Sequence, residues 1–164
     1  MNAAPAAITG TATVCTGAVT SLTDATGAGT WSSNDATIAT VGTTGAVSGV
    51  AAGTTTLSYT LGTGCSAEAI VTVNQSPAAI TGTAAVCQGS NTALTNSVGG
   101  GTWSSSDGTV ATVGTDGTVS GVAGGTATIS YTVGSCAATT VVTVNPVSAI
   151  TGNVPVCLLS LIHI

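Results

Sequence analysis

Few side chains in this sequence could do chemistry. The 164 residues contain five cysteines, five carboxylates and one histidine, and neither lysine nor arginine. The histidine is His163, one residue from the end, and the carboxylates are scattered singly. The rest of the chain therefore has no histidine general base, no catalytic lysine and no titratable constellation. The sequence predicts no catalytic residue, no enzyme activity and no cofactor.

Two carboxylates recur at matching positions. Asp35 and Asp107 each follow a pair of serines in a short polar turn. A single carboxylate in such a turn is more often a local cap of the backbone than a metal ligand. Calcium takes about six to eight oxygen ligands, and no cluster of acids supplies them. No metal site is predicted.

The cysteines form the most regular pattern. Cys15 and Cys65 are 50 residues apart, and Cys87 and Cys136 are 49 residues apart. This near-equal spacing predicts two disulfides, one within each half of the chain, and hence an oxidising compartment outside the cytosol. Metal ligation and free thiols are the competing interpretations, but no CxxC motif and no nearby histidine support a zinc site. Cys157 is left over and is predicted to be an unpaired thiol.

These residues lie in a sequence that repeats. The segment 6–15 returns at 78–87, and Gly29-Thr30-Trp31-Ser32-Ser33 returns at 101–105, in both cases 72 residues later. A unit of this length can bury a small core of its own. The predicted divisions are the end of a preceding repeat (1–4), a first repeat (5–76), a second repeat (77–147), the truncated start of a third (148–158) and a tail (159–164).

Both ends are expected to be artificial. Met1 aligns with Val73, which suggests that an internal GTG codon was taken as a start. Residues 159–164 depart from the repeat and correspond to one translation of a transposase sequencing adapter, so we exclude them from the fold. The alternative is a genuine apolar tail, which is far shorter than the roughly 20 residues of a membrane span.

The repeat has the pattern of β-strands. Residues 56–61 and 128–133 alternate polar and apolar side chains, and glycine-rich turns separate such runs. No window has helical periodicity over the ten or so residues that a helix needs. About seven strands per copy are expected; in the first they are 7–9 with 13–15, 19–23, 30–33, 38–41, 46–50, 54–61 and 68–73.

Apolar positions in these strands define the predicted cores. The four aromatic residues are assigned to the cores rather than to a sugar-binding surface. The predicted core of the first copy is Leu22, Trp31, Ile38, Val41, Val47, Val50, Leu57, Tyr59, Val71 and Val73. That of the second is Leu94, Trp103, Val110, Val113, Val119, Val122, Ile129, Tyr131, Val142 and Val144.

Composition excludes several partners. Without lysine or arginine the chain cannot neutralise phosphates, so nucleic-acid binding and docking on anionic membranes are not expected. No membrane insertion is predicted. A net charge of −5 gives modest self-repulsion. The 43% of hydrophobic residues argues against disorder.

An ordered series of motifs in both copies resembles a known family. In the second copy these are Gly101-Thr102-Trp103-Ser104-Ser105, then 110–113, then the run from Gly117 to Tyr131; the first copy has the same string over 29–59. The series resembles the bacterial immunoglobulin-like group 2 (BIG2) domain. The resemblance implies two tandem immunoglobulin-like β-sandwich domains, of a kind found in bacterial surface and secreted proteins, with no catalytic residues to carry over.

Repeat and resemblance together predict a non-catalytic extracellular spacer. It would belong to a large bacterial surface or secreted repeat protein and support cell adhesion, at the cell surface or outside the cell. Its partners would be neighbouring immunoglobulin-like repeats, with any host or surface glycan bound through other domains. The alternatives are a carbohydrate- or surface-binding module, including ice or crystal binding, and a stalk attached to a secreted enzyme.

Overall fold

A computed structural model describes residues 4–147 as two β-sandwich domains. The described residues contain β-strands and turns and no helix, which confirms the all-β prediction. Within this range, accordingly, there is no helix long and apolar enough to cross a membrane. The predicted third copy at 148–158, the tail at 159–164 and Cys157 lie outside the described residues, as do residues 1–3 of the predicted leading segment.

Each domain contains eight strands. In the first domain they are β1 Thr9–Gly10, β2 Thr13–Cys15, β3 Val19–Thr23, β4 Gly29–Ser33, β5 Ala39–Val41, β6 Ala46–Gly49, β7 Gly53–Leu61 and β8 Ser66–Asn74. In the second they are β9 Thr81–Gly82, β10 Ala85–Cys87, β11 Asn91–Thr95, β12 Thr102–Ser105, β13 Ala111–Val113, β14 Thr118–Gly121, β15 Gly125–Val133 and β16 Cys136–Asn145.

The two sheets of each sandwich have the same strand order in both domains. In the first domain the sheets are β1-β3-β6-β5 and β2-β8-β7-β4, and the second domain repeats them as β9-β11-β14-β13 and β10-β16-β15-β12. All pairs are antiparallel except β2 with β8 and β10 with β16. Two four-stranded sheets packed face to face form the immunoglobulin-like sandwich that the resemblance implies.

The opening segment of each domain passes from one sheet to the other at a glycine. Gly10 has φ +122° and Gly82 has φ +126°, a region that side chains rarely adopt. A Cβ on Gly10 would clash with the carbonyl oxygen of Ser21 on the neighbouring strand. The glycine lets β1 pair closely with β3 before β2 joins β8, and this crossing places Cys15 beside the end of β8.

A compact apolar core fills each sandwich. Its buried members in the first domain are Val14, Leu22, Ala39, Val47, Leu57, Val71 and Val73. The equivalents in the second are Val86, Leu94, Ala111, Val119, Ala127, Ile129, Val142 and Val144. Most of the larger buried residues were predicted from the alternation. Alanines 39, 111 and 127 and the valines at 14 and 86 were not predicted, because a small residue or a three-residue strand gives little periodic signal.

Two predicted core residues are wrong. Val50 is 52% exposed and Val122 is 45% exposed. Successive side chains of a strand point to opposite faces, so that Val47 and Val50, three residues apart, cannot share a face. Val50 follows β6 and donates its N–H to the carbonyl of Ile38 at 2.8 Å in the turn towards β7, which directs its side chain outwards.

Each core is covered at one side by a tryptophan and a tyrosine. Tyr59 is 6% exposed, and the partly buried Trp31 packs against the core cluster with its ring centre 4.9 Å from that of Tyr59. Trp103 and Tyr131 repeat the arrangement at 4.7 Å. The Tyr59 hydroxyl accepts a hydrogen bond from the N–H of Gly29 at 2.8 Å. A buried tyrosine generally needs such a partner, and this bond ties β4 to β7.

Three aspartates each accept hydrogen bonds from both the N–H and the hydroxyl of the threonine two residues later. Asp107 accepts hydrogen bonds from the hydroxyl and the N–H of Thr109, and Asp35 does the same with the threonine at 37. Side-chain and then backbone bonds from these threonines lower the pKa of both carboxyls. At Asp116 the N–H and then the hydroxyl of Thr118 lower the pKa. The first domain has Thr44 in place of Asp116.

These turns predict a loss of stability in acid. A carboxyl whose pKa is lower in the folded than in the unfolded chain contributes stability above about pH 4, and the contribution is lost as the pH falls through the folded-state value. We expect the thermal unfolding midpoint to fall between pH 7 and pH 3. The fall should be smaller in Asp107→Asn/Asp116→Asn than in the parent chain, as measured by circular dichroism. An equal pH dependence of the two chains would contradict this origin.

Among residues 4–147, one buried side-chain oxygen lacks a hydrogen-bond partner. Oδ2 of Asp24 makes no hydrogen bond among the described residues, although Oδ1 accepts the N–H of Thr26 at 2.8 Å. The equivalent residue of the second domain is Asn96, whose Nδ2 donates to the carbonyl of Ala78 at 2.6 Å. A carboxylate has no proton to donate. Asp24 therefore cannot make the hydrogen bond that Asn96 donates to the carbonyl of Ala78.

Replacing Asp24 with asparagine should stabilise the first domain. The new amide can donate to the carbonyl of Ala6, the counterpart of Ala78, and an added hydrogen bond of this kind contributes about 1 kcal/mol. For a domain of this size that corresponds to a rise of about 4 to 8 °C in the unfolding midpoint. Calorimetry would measure it, with Asn96→Asp as the matched control that should lower the midpoint. A midpoint unchanged or lowered by Asp24→Asn would refute the explanation.

Candidate functional site

The described cysteines form one disulfide, and it joins the two domains. Cys15 is bonded to Cys136, with their Cα atoms 5.9 Å apart. Cys15 ends β2, and Cys136 begins β16 after the tight turn that follows β15. The junction between the domains is therefore covalently closed, and it is the candidate functional site.

This bond corrects the prediction of one disulfide within each half of the chain. Cys15 pairs across the sheet with Asn74, the last residue of β8, whereas Cys65 directly precedes the first. Nine steps of about 3.3 Å along β8 place these two cysteines about 30 Å apart. A disulfide requires Cα atoms within roughly 7 Å. The same argument separates Cys87 from Cys136, because Cys87 pairs with Asn145 at the far end of β16.

Polar contacts accompany the disulfide. Nδ2 of Asn74 donates to Oγ of Ser135 at 3.0 Å, linking the last residue of β8 to the β15–β16 turn. The neighbouring Gly134 has φ +58°, and a Cβ there would lie 2.8 Å from the amide of Asn74. The Cys136 sulfur is 3.8 Å from the carbonyl oxygen of Asn74. Glycine at 134 thus permits the close approach of the two domains.

The linker is held against the first domain. The N–H of Ser76 donates to Oγ1 of Thr16 at 2.9 Å, and its hydroxyl donates to the carbonyl of Thr16 at 2.8 Å. The N–H of Thr16 in turn donates to the carbonyl of Asn74 at 2.9 Å. The chain leaving β8 is therefore bonded to the segment that follows Cys15. One covalent bond and this set of hydrogen bonds meet within a few residues.

The remaining predicted site residues lie elsewhere. Cys65 is partly buried and Cys87 is exposed, and both have free thiols. Cys65 lies at the end of the first domain away from the junction, and Cys87 lies at the corresponding outer end of the second. They are thus brought neither to each other nor to the disulfide.

One small cleft lies beside an aromatic pair. Its volume is about 190 Å³, and Asp24, Trp31 and Tyr59 contribute to its wall. Small-molecule sites usually have about 300 to 1,000 Å³. The indole of Trp31 packs against Tyr59 and the core, which leaves it poorly placed to stack on a sugar. Residues 4–147 contain no group of three or more side chains that could hold a metal ion.

Sequence reasoning missed the junction because it treated equal spacing as evidence of pairing. Equal spacing shows only that each repeat has the same two cysteine positions. The useful signal was the uninterrupted run 66–74, which is long enough to span a domain and has Cys65 just before its start. The alignment of Cys15 with the end of that run depends on the parallel pairing of β2 with β8, which alternation does not reveal.

Solved structures with a similar fold include two bacterial proteins. The C-terminal fragment of intimin, crystallised with the intimin-binding domain of its translocated receptor, is 17% identical, with a TM-score of 0.55 over 87% of this chain and 65% of that chain. Invasin, described as a bacterial integrin-binding protein, is 12% identical, with a TM-score of 0.52 over 85% of this chain and 38% of that chain. At these identities the likeness concerns the fold alone.

Another match is the surface-layer protein SbsC, domains 1–6, at 22% identity and a TM-score of 0.34, covering 81% of this chain and 24% of that chain. The chain thus spans about a quarter of the length of that protein's structure. No curated protein sequence matches the chain.

The family model for the bacterial Ig-like domain (group 2) matches residues 2–73 and 70–144. Together with two sandwiches of the same topology, this match shows that the chain belongs to the bacterial Ig-like domain (group 2) family.

Proposed function

We propose that this chain is a non-catalytic spacing segment of a bacterial surface protein, in which the orientation of consecutive domains is fixed. The observation that carries the proposal is the Cys15–Cys136 disulfide between the domains. Domains joined by a linker alone generally move relative to one another. A covalent bond beside a hydrogen-bonded linker removes that freedom, and fixed orientation is what a spacer requires.

The direction of the long strands supports a spacing role. β8 runs towards the junction and ends there, and β16 starts at the junction and runs away from it. Nine residues of β8 and ten of β16 each span about 30 Å. The two domains are therefore joined end to end rather than side by side, and each repeat adds the length of a strand.

The proposed location is the outside of the bacterial cell. A structural disulfide persists in oxidising compartments and is rare in the cytosol. The family assignment and the similarity in fold to intimin and invasin favour the cell surface. Immunoglobulin-like domains of this kind are generally not catalytic, and the described residues offer no metal-ligand cluster for catalysis.

Adhesion is proposed as a property of a longer protein that contains these domains. Intimin was crystallised with the intimin-binding domain of its translocated receptor, and invasin is described as an integrin-binding protein. Here, the cleft of about 190 Å³ is small, and the tryptophans face the cores. We therefore assign contact with a host protein or surface glycan to other domains, which these repeats hold at a distance.

The proposal predicts a narrow distribution of distances across the junction. Spin labels on Cys65 and Cys87, in a Cys157→Ser background, report on opposite ends of the pair of domains. The distance measured by pulsed electron spin resonance should be on the order of 60 Å, the length of two such strands. Its distribution should be narrow in the bonded chain and clearly broader in Cys15→Ser/Cys136→Ser, because the linker alone then joins the domains.

Circular dichroism provides the control. The Cys157→Ser chain with the disulfide and the Cys15→Ser/Cys136→Ser variant should both retain the β-sheet signal, since each domain has a complete core that does not include the disulfide. A distribution equally broad with and without the disulfide, in folded protein, would overturn the proposed rigid spacer.

A further inference from the structure

The two free cysteines have the same positions in the fold as the two bonded ones. Cys15 and Cys87 both end the short strand that pairs in parallel with the last strand of their domain. Cys65 and Cys136 both stand at the turn before that last strand. The observed disulfide thus joins the first type of position in one repeat to the second type in the next. Cys87 occupies the position of Cys15 one repeat later in the chain, and Cys65 occupies the position of Cys136 one repeat earlier.

Burial at the junction supports this equivalence. Cys15 and Asn74 are partly buried where the second domain covers them, whereas their counterparts Cys87 and Asn145 are exposed. Cys136 is only 3% exposed, whereas its counterpart at 65 is partly buried. At the outer end of each domain, no further domain among residues 4–147 covers the cysteine whose equivalent is covered at the junction.

Some junction contacts recur and others change. The second domain has an asparagine, Asn145, at the position of Asn74. The side-chain amide that donates to the neighbouring turn at the junction is therefore present in both domains. Gln88 stands in place of Thr16, and Pro146 follows Asn145 where Gln75 follows Asn74. The bonds between Thr16 and Ser76 are thus particular to the first linker. What recurs is the pair of cysteines and the asparagine.

We propose that Cys87 and Cys65 are the attachment points for further copies of this repeat, each joined by the same disulfide as Cys15 and Cys136. A copy that follows bonds its turn cysteine to Cys87, and a copy that precedes bonds its short-strand cysteine to Cys65. Every repeat in such an array is then linked covalently to both neighbours. This inference rests on the proposed spacing function and extends it from one junction to an array.

The bond forms by ordinary thiol–disulfide exchange with a low-molecular-weight disulfide such as oxidised glutathione. The Cys87 thiolate attacks one glutathione sulfur, forming a mixed disulfide and releasing one glutathione thiolate. The turn cysteine of the next copy then attacks the Cys87 sulfur and releases the second. Two protein thiols and one oxidised glutathione give one protein disulfide and two reduced glutathiones, which carry away both electrons and both protons.

The test for Cys87 extends the chain by one copy. Residues 158–164 are replaced with a copy of residues 88–147, so that Cys157 is followed by a complete third repeat. Within that copy the exposed Ala137 is changed to serine as a mass tag for the copied Cys136. After refolding with reduced and oxidised glutathione, chymotryptic peptides are mapped without reduction by tandem mass spectrometry, because the peptide 62–94 contains both Cys65 and Cys87 and only its fragment ions tell the two apart.

We expect a tagged peptide linked to Cys87 and complete loss of maleimide labelling at Cys87, alongside the untagged Cys15–Cys136 link. That second link is the internal control for folding and oxidation. Cys87 still labelled while Cys15 is bonded to Cys136 would overturn the proposal, as would a link from Cys87 to the untagged Cys136. Loss of the Cys15–Cys136 link itself would refute the junction and the proposal together.

The matching test for Cys65 places a copy of residues 5–76 directly before Pro5, with the exposed Thr13 of the copy changed to serine as the tag. The tagged peptide should be linked to Cys65, and an untagged Cys15–Cys65 link would overturn the proposal. Connectivity is independent of stiffness, so correct links with a broad spin-label distribution would refute the rigid spacer alone. Wrong links with a narrow distribution would refute only the array.

Discussion

The length of the last strand in each domain determines how this chain can be cross-linked. β8 and β16 run the full height of their sandwiches, with a cysteine just before or at the first residue and a cysteine-bearing strand beside the last. The two cysteines of a repeat are therefore held about 30 Å apart by a hydrogen-bonded strand that cannot shorten. They cannot bond to each other, and the observed disulfide joins Cys15 to a cysteine of the neighbouring domain. The hydrogen bonds of the junction and the close approach at Gly134 surround the one disulfide that this separation allows among the described cysteines.

The expectations from the sequence that were correct are those that rest on the alternation of polar and apolar residues. Period-two alternation located the long strands closely, because one buried face leaves a clear pattern in residues such as Leu57, Tyr59, Ile129 and Tyr131. It also located most of the core. It erred at Val50, where a strand had been extended one residue too far. Alternation shows which face of a strand is buried in its own core, but it contains no information about which strand lies beside it.

The junction could not be predicted in this way. The disulfide depends on the passage of the chain from one sheet to the other at Gly10, on the parallel pairing of β2 with β8, and on the contact between domains. Each is a tertiary feature of residues far apart in sequence. The expectation that the chain does not bind nucleic acid rests on composition, because the absence of lysine and arginine does not depend on the fold, and it remains a prediction. The predicted limits of the repeats, 5–76 and 77–147, remain predictions.

The disulfide also changes how tension would pass along the chain. A pull applied at both ends would enter near residue 4, cross from Cys15 to Cys136 through the sulfur atoms, and leave near residue 147. The 121 residue steps between the two cysteines form a closed loop that bears no load. Fully stretched, that loop would add roughly 400 Å, at about 3.3 Å or a little more per residue. With the bond intact this slack is unavailable, so the tether would be nearly inextensible. Reduction of a single bond would turn it into a long elastic one.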